Sequence, residues 1–145
     1  MRCNWKNVCK TAFAVLVCLA IGSGFFIRNA LALRELEGER TFYLHSVSSQ
    51  GLIKTGLGVL DLPYRTGESV QYALTAGAES EAERVLTIYD AELLWTEEAC
   101  GVKCYYALSP RLGAGVWIDG RLVNLHIAVC EDRCAVGTPI IFGGF

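Results

Sequence analysis

The chain has little of what usually announces catalysis. It has no glycine-rich phosphate loop, no Gly-x-Ser-x-Gly nucleophile elbow and no His-Glu-x-x-His helix. Histidine is scarce, with only His45 and His126. No internal repeat or low-complexity tract is present, so its 145 residues allow one ordinary domain and a small appendage. Basic charge is also short. Residues 33–145 hold nine Lys/Arg against fifteen Asp/Glu, a net charge of −6. Phosphate backbones are bound by clustered Lys and Arg, so nucleic acid is excluded as an expected partner.

What is present begins with an apolar front. Residues 1–32 carry four basic groups and no acid. Thr11 to Ile27 runs 17 residues without a charge and ends at Arg28. That run fits a signal peptide or a short membrane span. Ala30-Leu31-Ala32 offers an Ala-x-Ala cleavage site, which favours removal. Arg28 and the length of the run favour retention as an anchor. The charge balance places the N-terminus inside and the body outside. Cys18 follows Val17, which is not the small residue that lipidation needs. Residues 1–32 are therefore read as a signal peptide or membrane anchor, and residues 33–145 as an extracytoplasmic domain.

Along that domain, Thr41–Ser49 reads as a strand. Gly51–Leu62 is undecided between a strand and an apolar loop, and Pro63 to Gly67 signals a turn. Glu68–Leu74 alternates Val70, Tyr72 and Leu74 with polar residues, as a half-buried strand does. Ala78–Asp90 is the helix, with Ala82, Val85, Leu86 and Tyr89 on one stripe. Glu79, Glu81 and Glu83 suit its positive end and are expected on a solvated face. Ala91–Glu97 and Lys103–Leu108 are strands. Gly115–Ile118 and Arg121–Val129 form a hairpin at Asp119-Gly120, a dipeptide that takes positive φ at both turn positions. Ala135–Phe142 is a buried strand, interrupted by Pro139 at an edge or bulge. The expected fold is α+β: an antiparallel sheet of about five to six strands, one main helix on one face, and the hydrophobic segment in front.

Two Cys-x3-Cys units, Cys100/Cys104 and Cys130/Cys134, fall between strand-like runs. If each brackets a three-residue hairpin loop, its cysteines face each other. Three readings follow. Each pair closes a disulfide in an oxidising compartment. Alternatively, the two tips meet and four thiolates hold Zn²⁺. Or the thiols stay free or pair crosswise. A location outside the membrane favours disulfide clamps, with no cofactor and zinc as the alternative. A thioredoxin-type site wants Cys-x2-Cys at a helix start and is not expected.

On strict alternation Asn124, His126 and Ala128 share one strand face, while Leu125, Ile127 and Val129 share the other. Asn124 and His126 are thus the binding-face candidates. No catalytic residue is assigned. The apolar ending, with Phe145 as its anchor, reads as a docked terminal strand or a partner-binding tail.

Val123 to Val129, a short hairpin, and Val136-Gly137-Thr138-Pro139-Ile140-Ile141 together resemble the C-terminal part of YwmB-like proteins. These are extracytoplasmic proteins of Gram-positive spore-forming bacteria, described on fold alone as TATA-box-binding-protein-like. About 20 residues carry the resemblance, in a matching order of apolar N-terminus, helix, sheet and Gly-Thr-Pro ending. The cysteine pairs lie outside it. It implies an envelope setting and a link to sporulation, but no activity. The DNA-binding sense of the fold name does not transfer to a domain of net charge −6. The expectation is a binding or structural envelope module, with the membrane and an envelope protein as partners, and a cysteine-based zinc or redox protein as the alternative.

Overall fold

The computed structural model describes residues 5–46 and 51–142. The expected strand residues Val47 to Ser49 and the Phe145 anchor lie outside the described residues. The chain divides into two compact units, residues 1–31 and 32–145. The first holds helix α1, Trp5–Ala30. Among the described residues no helix is long and apolar enough to cross a membrane, which corrects the expected transmembrane helix. The uninterrupted apolar stretch is short. It runs from Ala12 to Ile21, between Lys10-Thr11 and Gly22-Ser23-Gly24. That core is ten residues, and the wider uncharged run from Thr11 to Ile27 is 17, at the short end of the roughly 17–25 that a span takes.

The second unit is built on a seven-stranded antiparallel sheet rather than one of five to six. Its strands are β1 (Glu39–Leu44), β2 (Leu52–Lys54), β3 (Arg65–Ala73), β4 (Glu92–Ala99), β5 (Val102–Leu108), β8 (Leu125–Val129) and β9 (Arg133–Thr138). Their spatial order is β2-β1-β3-β9-β8-β5-β4. A separate two-stranded hairpin, β6 (Val116–Ile118) and β7 (Arg121–Val123), completes the strand set. The undecided Gly51–Leu62 stretch supplies β2 and leads into a 3₁₀ turn, Val59–Tyr64. Both elements are too short to show a periodicity in sequence.

The helix α2, Ala78–Ile88, packs on one sheet face, here called inner. Ala82, Val85 and Tyr89 meet Val70, Tyr105, Ile127, Val129 and Val136 there. The stripe at helical spacing thus finds alternate residues of central strands. Glu81 departs from the expected solvated face. It is 4% exposed. Its carboxylate accepts hydrogen bonds from the Tyr72 hydroxyl (2.7 Å) and from Arg84, so the buried charge is neutralised on its own helix.

Asp119 and Gly120 both have positive φ, as the hairpin reading requires. The arm expected to run unbroken from Arg121 to Val129 instead breaks at Asn124, between β7 and β8. After β9, a cis Thr138-Pro139 bond turns the chain back over the outer face. The expected strand therefore ends before Pro139, which has no N–H to give a ladder.

Candidate functional site

The cysteines come first. Each of the described ones, Cys9, Cys18, Cys100, Cys104, Cys130 and Cys134, is a free thiol, which corrects the expected disulfides. Register gives the reason. Ala99 pairs with Val102, so Cys100 and Gly101 are themselves the two turn residues, at φ 53° and 78°. Cys104 then lies opposite Glu97, not Cys100. In the second hairpin the Cys130 amide donates to the Arg133 carbonyl (3.0 Å), and Cys134 lies opposite Val129. Cys130 is one position away from facing Cys134, and Cys100 is three positions away from facing Cys104. Cys104 shares the outer face with Ala128 and Ala135, whereas Cys134 shares the inner face with Val129. Burial pushes the Cys134 thiol up to about 11 and also raises Cys104, helped there by Glu97. Among the described residues no three His, Cys, Asp or Glu side chains converge as a metal site.

Asn124 is 3% exposed and works inside the fold. Its Oδ1 accepts the Ser109 amide (2.7 Å), and its Nδ2 donates to the carbonyls of Ser109 (2.8 Å) and Gly113 (3.1 Å). It thus brackets the loop between β5 and β6 at the point where β7 ends. His126 lies on the outer face, opposite Tyr106 on one side and Gly137 on the other. Asn124 and His126 are not brought onto one surface.

His126 belongs to a ladder of rings crossing three strands. Its ring stacks on Tyr106 at 4.5 Å and 8°, and Tyr106 stacks on Trp95 at 4.5 Å and 13°. The Arg121 guanidinium covers the far side of Trp95 at 5.7 Å. Cross-strand neighbours about 5 Å apart impose this spacing. The rings stand upright and spend their faces on one another. Burial pushes Tyr106 up to about 12, with Cys104 and Glu97 adding to the shift. His126 is pushed down to about 4 by burial.

The ladder ends on β4, one of the two edge strands of the sheet, β2 being the other. In an antiparallel pair, alternate residues turn their N–H and C=O toward the partner. A two-residue turn makes Ala99 and Val102 a bonded pair, so Glu97 also faces β5 while Thr96 and Glu98 face outward. Those outward backbone groups take no partner among the described residues. Farther along, a bulge falls between Leu93 and Trp95, and Arg121 Nη1 donates to the Leu94 carbonyl at 2.9 Å. One half of the edge is thereby closed and the other half is left open. Sequence reading passed over this site, because a free edge is a property of strand order.

The open half is acidic. Glu97 and Glu98 lie there, while Glu92 lies at the far end of β4 beyond the bulge, and all three are exposed. Glu97 accepts weak hydrogen bonds from Trp95 Nε1 (3.3 Å) and the Tyr106 hydroxyl (3.4 Å). Beyond Glu98, the two hairpin tips and the start of α2 border a cleft of about 450 Å³ lined by Glu79, Lys103 and Glu131. Lys103 pairs with Glu79 across it, which lowers the Glu79 carboxyl and raises the Lys103 amine. Glu92, Glu97, Glu98 and Glu131 have no cationic partner among the described residues. No protein-family model, no curated protein and no solved structure matches this chain.

Proposed function

We propose that residues 32–145 form a protein-binding module rather than a catalyst. Its partner is an extended segment bearing Lys and Arg, added as a strand along β4. The observation that carries this reading is the open edge at Thr96 and Glu98, beside Glu97, Glu98 and Glu131, which have no cationic partner among the described residues. Main-chain hydrogen bonds supply affinity in strand addition, and side chains supply selection. Here the selection is by charge: cationic side chains would find Glu97, Glu98 and Glu131. A second copy of the chain is disfavoured, because two β4 edges would set glutamates against glutamates. The bulge and the Arg121 cap limit the docking to a short segment. The family resemblance adds an envelope setting for the partner.

The test is fluorescence anisotropy of a labelled octapeptide that alternates Lys and Val. The expected result is saturable binding that weakens with salt, lost at least tenfold in Thr96→Pro. Proline there removes an outward N–H and spares the ladder to β5. Undiminished binding by Thr96→Pro, or preference for a Glu/Val peptide, would overturn the reading.

A further inference from the structure

Glu68 is a fully buried carboxylate, 0% exposed, that the binding surface does not use. Its Oε2 meets Arg65 Nη1 at 2.7 Å, and its Oε1 lies 3.6 Å from Arg40 Nη1. The same Oε1 accepts the backbone N–H of Leu33, which lies 35 residues earlier. Arg40 Nη2 in turn donates to the Leu33 carbonyl at 3.0 Å. The Leu33 side chain is itself 0% exposed, within the core. One residue near the start of the folded unit is thus held at its nitrogen, its oxygen and its side chain.

Ala32, just before it, lines a cleft of about 380 Å³ together with Arg65 and Glu68. The helix α1 ends at Ala30, and the second compact unit begins at Ala32. Ala30 and Ala32 stand at the third and first positions before the Ala32–Leu33 bond. Peptidases that remove leaders select small side chains at those two places.

The geometry points to Leu33 as the first residue of the working protein, with Glu68 as the receiver of its α-amine. A leader-removing peptidase hydrolyses the Ala32–Leu33 bond. One water is consumed, the C–N bond breaks, Ala32 leaves as a carboxylate and Leu33 keeps the nitrogen as an amine. In the folded unit that nitrogen sits on Glu68, so the new terminus folds into a place prepared for it. Cleavage precedes folding, because the folded unit buries Leu33. A terminus one residue shorter would remove the donor to Glu68. This inference stands apart from the strand-docking reading, since β4 is not involved.

The full chain is expressed in a bacterium with leader-processing peptidases, and the product is weighed intact. A mass equal to residues 33–145 is expected, together with an uncut chain for Ala32→Phe. The cut protein is then treated with an amine-acylating ester at neutral pH. Acylation of the Leu33 amine is expected to be at least tenfold slower folded than in urea. An uncut wild-type chain, a different N-terminus, or a Leu33 amine that reacts equally fast folded and unfolded would each overturn the inference.

Discussion

The Ile141 amide donates to His126 Nδ1 at 3.3 Å, so the imidazole holds the returning C-terminal segment on the outer face of the sheet. This bond fixes the ring proton on Nε2, which is buried without a partner. Burial lowers His126 from 6.5 to about 4. Between those values the unfolded chain binds a proton that the folded one does not. Stability therefore falls as pH drops from about 6.5 toward 4, by about 3 kcal/mol in all, and the loss is complete below that. Urea unfolding at pH 7 and 4.5 checks this. His126→Phe should lose less on acidification than the wild type. The lowered carboxyls of Asp61, Glu79 and Glu81 act in the same direction at more acidic pH and are common to both proteins.

Asn124→Ala should cost about 2–4 kcal/mol, because three hydrogen bonds go and the buried Ser109 amide is left unsatisfied. Asn124→Asp should fall between, since it keeps the acceptor and loses the donor. Denaturant midpoints of the two variants measure the difference.

Gly137→Ala should loosen the C-terminal segment. A Cβ there would lie 2.7 Å from Ile141 Cγ1 and 2.9 Å from the Ile141 nitrogen. The cost is about 1–3 kcal/mol. Faster exchange of the Ile141 and Phe142 amides, the latter bonded to the Tyr43 hydroxyl at 3.2 Å, reports it.

Thiol labelling resolved by peptide mass should order the domain's cysteines. Cys100, exposed in its turn, labels first; Cys134, buried and raised to about 11, labels only on unfolding. The mass of the native domain should be the same with and without reductant.

What could be read from the sequence was local. Asp119-Gly120 defines its own turn, and the Ala82, Val85, Tyr89 stripe defines its own helix, each within a dozen residues. What could not be read depended on distant partners. Val70 faces Val136 across the sheet, and nothing near either residue encodes that pairing. The strand break at Asn124 comes from its bonds to Ser109, 15 residues away. The cysteine pairing failed on register, by three positions at Cys100/Cys104 and by one at Cys130/Cys134. Cys100 takes a left-handed turn position usually given to Asn or Gly, so a three-residue loop shrank to two and the thiols parted.

Amide exchange of the full chain with and without the Lys/Val octapeptide tests the strand-docking account most directly. The account predicts at least tenfold slowing at Thr96 and Glu98, whose amides face outward. It predicts no change at Glu97, whose amide already faces β5. Unchanged exchange at Thr96 and Glu98, or protection confined to another part of the surface, would contradict it.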